Sequence, residues 1–114
     1  MAPLNDKQLL HKVSLLLTAF RAANPIMTIQ TAHTLLLVAI HPGASVSELS
    51  NISGYKLSTI SRNLLDLGSR NRKREPGLGL VSTEVDPNEL RKKQVNLSSK
   101  GQALMHQLLD TMRT

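Results

Sequence analysis

Between Ser45 and Gly68 the chain specifies two helices with one short turn between them, and few folds accommodate that arrangement. Ser45-Val46-Ser47-Glu48 fits a capping box, in which the Ser45 hydroxyl satisfies an orphan amide of the first turn and Glu48 reaches back to the cap. A short helix over 46–53 follows, and Gly54 ends it by permitting a tight turn. From Leu57 a second helix carries Leu57, Ile60, Leu64 and Leu67 at spacings of three and four, and Gly68 closes it. Short helix, glycine turn, amphipathic helix is the outline of a helix-turn-helix unit.

The flanking segments complete a small domain. Between Asp6 and Ala23 apolar residues recur at Leu9, Leu10, Val13, Leu16, Leu17 and Phe20, a helical stripe wider than one packing face requires. Asn24-Pro25 stops it, and Thr28 caps a further helix through Ala32, Leu35, Leu36, Ala39 and Ile40 to a His41-Pro42-Gly43 terminator. Downstream, Leu78 to Val85 reads as a strand and 93–98 as its partner. Asp86-Pro87-Asn88 is turn chemistry, so the two form a hairpin, or wing, with a charged tip over 89–92. Residues 99–113 read as a closing helix with Ala103 or Leu104, Leu108 and Met112 on one stripe and Met105 and Leu109 beside it. The expected fold is mainly α with a small β-hairpin (α+β), a winged helix-turn-helix, and 114 residues suit one core and one domain over 1–114.

Charge points to a polyanion. Of the 14 Lys and Arg, ten lie within 56–100 against five of the 8 acids, so that stretch carries +5 of the formal +6. Placing the 57–68 helix on a wheel sets its four aliphatic residues on one side and Ser58, Thr59, Arg62 and Asp66 on the other. In a helix-turn-helix the second helix lies in the major groove, where short hydroxyls allow close approach and an Arg engages guanine or a phosphate. Lys56, Ser58, Thr59, Ser61 and Arg62 are therefore the candidate recognition residues. The basic loop at Arg70, Arg72, Lys73 and Arg74 and the wing cations Arg91, Lys92 and Lys93 are candidates for phosphate contacts.

The same residues carry a resemblance. Val46-Ser47-Glu48-Leu49, Leu57-Ser58-Thr59-Ile60-Ser61-Arg62-Asn63-Leu64, Gly77-Leu78-Gly79-Leu80-Val81 and the run from Asp86-Pro87 through Arg91 to Val95-Asn96-Leu97-Ser98-Ser99-Lys100-Gly101 resemble the multiple-antibiotic-resistance regulator (MarR) type of winged helix protein. The likeness spans about Thr28 to the C-terminus. It implies recognition roles for Ser58, Thr59, Ser61 and Arg62, and a minor-groove or phosphate role for Arg91 at the wing. It also implies a DNA-binding transcription regulator, a repressor acting as a homodimer, with 1–23 and 99–114 as dimerisation helices and 45–98 as DNA-binding core and wing. Lys56 stands where that pattern has a Ser, Thr or Asp cap, and Leu90 where it tends to have Arg. A different class of function, a winged-helix adaptor for protein partners in a replication, partition or phage-encoded inhibitory complex, would use the same basic loop on an acidic protein surface.

Other chemistries find no support in the residues. With no Cys there are no disulfides, thiolate metal sites or thiol nucleophiles. His11, His33, His41 and His106 lack metal-ligand spacing, with His11 and His33 expected on helix surfaces and His41 at a helix C-terminus. Gly77-Leu78-Gly79 precedes a strand pattern and is no phosphate loop. No enzyme activity, cofactor or metal is expected. The longest apolar run, Leu35 to Ile40, is far below the roughly 20 residues of a membrane span, and the start has no basic-then-apolar leader, so the expected location is the cytoplasm.

Overall fold

Local cap chemistry sets where each helix begins. In the computed structural model, which describes residues 3–69, 76–86 and 88–114, Asn5 opens α1 (Asp6–Ala23) with a capping box shared with Gln8. Thr28 accepts from the Thr31 amide to cap α2 (Ile29–Ile40), and Ser45 with Glu48 forms the expected box ahead of α3 (Val46–Ser53). Gly54 ends α3 in the left-handed conformation at φ 78°, and α4 (Leu57–Leu67) follows directly. The wing is β1 (Val81–Asp86) paired antiparallel with β2 (Glu89–Leu97), and α5 (Ser99–Arg113) closes the chain under a Ser98 cap.

Leu35 and Val38 of α2, Leu49 of α3, Ile60 and Leu67 of α4, Leu80, and Val95 of β2 are fully buried and form one core, so α3 and α4 are set against α2 and the wing as a unit. Leu104, Met105 and Leu108 of α5 and Phe20 of α1 extend it. Of the two alternatives on the α5 stripe, Leu104 is the buried one and Ala103 is exposed.

The hairpin departs from expectation at both ends. β1 begins at Val81 because the residues before it are held by α4: Leu78, Gly79 and Leu80 donate their amides to the carbonyls of Asp66, Gly68 and Leu67. Gly77 belongs to this seam, where a Cβ would collide with the Gly68 carbonyl oxygen. β2 begins at Glu89, earlier than position 93, so 89–92 lie within the strand. Val85 pairs with Lys93 while Asp86 pairs with Glu89, so the register shifts near the tip and 90–92 interrupt the regular ladder.

Two further junctions were not foreseen. Gly43 and Ala44, just past α2, exchange backbone hydrogen bonds with Val95 at 3.0 and 2.9 Å, pinning β2 to the start of α3. At the other end Ser98 donates its hydroxyl to the Gly79 carbonyl at 2.6 Å, and Gly101 lets α5 sit directly against Leu80, whose carbonyl oxygen a Cβ there would strike.

α1 leans on α5, with Lys12 Nζ donating to the Met112 carbonyl at 2.7 Å, and buries only Ala19 and Phe20. Leu9, Leu10, Val13 and Leu17 remain on its surface, as do Leu109 and Met112 on α5. No helix among the described residues is long and apolar enough to cross a membrane.

Candidate nucleic-acid interface

The buried side of α4 is Ile60, Asn63, Leu64 and Leu67, which leaves an exposed arc of Leu57, Ser58, Ser61, Arg62 and Leu65. Four of the five proposed recognition residues are thus exposed: Lys56, Ser58, Ser61 and Arg62. Thr59 is half-buried at the border of the arc, and so is Asp66.

Leu57 corrects the expected pattern. It was placed with the aliphatic side but is 51% exposed, because the core centres on the arc between Asn63 and Leu64 and the first turn of α4 overhangs its edge. The residue that fills the interior position instead is Asn63, which sequence spacing did not single out. It donates Nδ2–H to Thr34 Oγ1 at 3.0 Å and accepts from the Thr31 hydroxyl at 3.4 Å. The Thr34 hydroxyl donates to the Gln30 carbonyl, and Thr28 meets the Thr31 hydroxyl at 2.8 Å. No buried side-chain polar atom among the described residues is left without a partner. The available signal was two threonines three apart on apolar α2, facing a polar residue at a core position of α4.

Lys56 stands at the N-cap of α4 and makes no side-chain cap bond, as its replacement of a hydroxyl or carboxylate implies. Its ammonium remains exposed beside the first turn. Just before it, Tyr55 Oη lies 2.8 Å from Nδ1 of His33, an aromatic pair that the sequence reading passed over.

The wing cations divide. Lys92 Nζ sits 2.8 Å from Glu48 Oε1, joining β2 to the first turn of α3. The hydrogen bond from Lys92, then those from Ser45, hold the Glu48 carboxyl below its ordinary range. Lys93 is exposed and pairs through its backbone with Val85. Arg91 lies on β2, with its side chain outside what the structure describes, and Arg70, Arg72, Lys73 and Arg74 fall outside the described residues. The ends of that basic loop are nonetheless joined, because the Gly77 amide donates to the Ser69 carbonyl at 2.9 Å.

The helical order, the Gly54 turn into α4 and the wing have geometric counterparts among solved structures. The backbone is similar to that of MepR from S. aureus, crystallised as a DNA complex, with a TM-score of 0.65 and 21% identity over 95% of this chain and 81% of MepR. It is similar to FabT from Streptococcus pneumoniae in complex with DNA, at a TM-score of 0.65 and 22% identity over 96% of this chain and 67% of FabT. It also matches a mutant of MarR from E. coli at 0.67 and 20% identity over all of this chain and 80% of MarR. The chain has the MarR-type winged-helix fold. In that fold α3 and α4 form the helix-turn-helix and the β1–β2 hairpin is the wing. A further neighbour from Mycobacterium tuberculosis is spanned over 63% of its length. No protein-family model matches the chain, and no curated protein matches its sequence.

Proposed function

We propose that the chain is a sequence-specific double-stranded DNA-binding transcription regulator, a repressor, and not an enzyme. The observation that carries the reading is the exposed arc of α4, where Ser58, Ser61 and Arg62 face solvent together while Asn63 anchors the opposite side. Small hydroxyls beside an Arg suit the donor and acceptor edges of the major groove. MepR and FabT, whose folds this chain shares, were both crystallised with DNA. Lys93 and the basic stretch 70–74 supply phosphate contacts, and Arg91 contributes a minor-groove or phosphate contact from the wing. Lys92, engaged with Glu48, braces the wing against α3 as well.

The working unit in this reading is a homodimer built on α1 and α5. One chain leaves their outward Leu, Val and Met side chains uncovered, and an open groove of about 780 Å³ whose apolar lining is Leu4, Leu10 and Leu15 lies between α1 and the end of α5. Two copies would set their α4 helices about 34 Å apart, one DNA turn, over a pseudo-palindromic site.

Selection of bound duplexes from a random pool, followed by titration over a range of salt, tests the reading. Two related half-sites and a steep salt dependence are expected. Arg62→Ala should weaken the selected site by about 1–3 kcal/mol and relax base choice at one position. Full affinity in that variant would overturn the docking of α4, and no duplex binding at low salt would favour the protein-adaptor alternative.

A further inference from the structure

His33 of α2 and Tyr55 of the α3–α4 turn meet edge to face, with ring centroids 5.4 Å apart and planes at 81°. Tyr55 is held at the main chain from both sides: its amide donates to Ser53 Oγ at 3.0 Å, and its carbonyl accepts from Ser50 Oγ at 2.7 Å. His33 is exposed, and Tyr55, half-buried against the core, immediately precedes Lys56 at the entrance of α4.

Proton accounting gives this pair a fixed character. If His33 carries its proton on Nε2, the Tyr55 hydroxyl donates to Nδ1 and the Nε2–H is left to point away. If the proton is on Nδ1, it is donated to Tyr55 Oη and the phenolic O–H is left instead. Either neutral tautomer therefore keeps one N–H or O–H donor beyond the pair. A charged imidazole keeps two.

A recognition helix enters the groove by its N-terminal end, so residues just before it meet the groove wall, where the oxygens belong to phosphates. We infer that His33 and Tyr55 together form a DNA-phosphate contact that fixes how α4 is seated. This inference rests on the DNA-binding reading above.

The test uses the full chain and a duplex recovered by selection, with single methylphosphonates replacing each backbone phosphate in turn. The probes are the wild type, Tyr55→Phe, His33→Ala and the double variant, each checked for an unchanged melting transition. On the unmodified duplex the double variant should bind about tenfold more weakly, the scale of one lost hydrogen bond to a charged group. One methylphosphonate position should cost the wild type a similar factor and cost the double variant almost nothing. Equal losses at every position in both proteins, or a double variant that binds as the wild type does, would overturn the contact while leaving DNA binding intact. A wild type that binds no duplex would remove the DNA-binding reading itself, and the contact with it.

Discussion

Asn63 of α4 donates its side-chain amide to Thr34 Oγ1 of α2 across 3.0 Å, inside the core and directly beside the outward Arg62. A polar bond in that place sets the rotation of α4 about its axis, because an apolar side chain there could slide whereas an amide must meet its partners. Asn63→Ala takes one of two partners from each of the Thr34 and Thr31 hydroxyls, which keep Gln30 and Thr28, and with the lost side-chain contacts should cost about 1 kcal/mol or more in urea unfolding. Thr34→Val removes the other end of the same bond. The double variant should cost less than the sum of the singles by about 0.5 kcal/mol or more, and additivity within that margin would mean the bond is not coupled as described.

Gly101 and Gly79 are needed for different reasons, and one comparison separates them. A methyl at Gly101 would strike the Leu80 carbonyl oxygen, a backbone atom that cannot move without shifting the start of β1. Gly79 has open space at its Cβ position but holds φ at +67°. Gly101→Ala should therefore cost about 1–3 kcal/mol through overpacking, and Gly79→Ala about 1 kcal/mol through backbone strain. Thermal unfolding of the two variants side by side checks the order, and a milder loss for Gly101→Ala would contradict the close approach of α5.

The contrast between what could and could not be read from the chain follows the range of the interactions. Thr28, Ser45 and Gly54 act on residues three or four positions away, so the ends of α2 and α3 were legible from neighbouring letters. The hydroxyl-and-arginine arc of α4 was legible for the same reason, since helical spacing alone puts Ser58 and Arg62 together. Leu57 and Asn63 were not, because which of them is buried depends on α2 threonines some thirty residues upstream. The strand start was misplaced on similar grounds: Leu78 has strand composition, but its amide is taken by Asp66 in α4. Cap chemistry is local, whereas the seam between 66–69 and 77–80 exists only after the chain has folded back.

The Glu48–Lys92 contact makes the seating of the wing on α3 depend on acidity. The Glu48 carboxyl titrates below its ordinary value of 4.5, held there first by Lys92 and then by Ser45. A carboxyl with a depressed folded pKa contributes stability at pH values above its unfolded pKa and loses it as pH falls through the folded one. Glu48→Gln keeps an acceptor for the Ser45 cap but removes the charge. Wild type and variant should differ in unfolding midpoint at about pH 6, and the difference should shrink toward about pH 3. A gap that stays constant with pH would mean the carboxylate charge plays no part in holding β2.

Exposure on α1 gives the sharpest test of self-association. Leu10 is 70% exposed and Leu17 58%, so a Glu at either position disturbs little of the core within one chain. In a dimer that covers these helices, the same substitution buries an unpaired carboxylate and should prevent assembly. Sedimentation equilibrium should give twice the mass of one chain for the wild type and the single-chain mass for Leu10→Glu or Leu17→Glu, with the far-ultraviolet spectrum retained. Ile26→Glu is the control, since Ile26 is 85% exposed on the α1–α2 connection, away from the α1–α5 groove, and should leave the mass unchanged. The monomeric variants should also bind a two-half-site duplex at least tenfold more weakly, because the second half-site no longer gains from the effective concentration that pairing provides. Variants that sediment as the wild type does would place the contact elsewhere and detach the apolar faces of α1 and α5 from self-association.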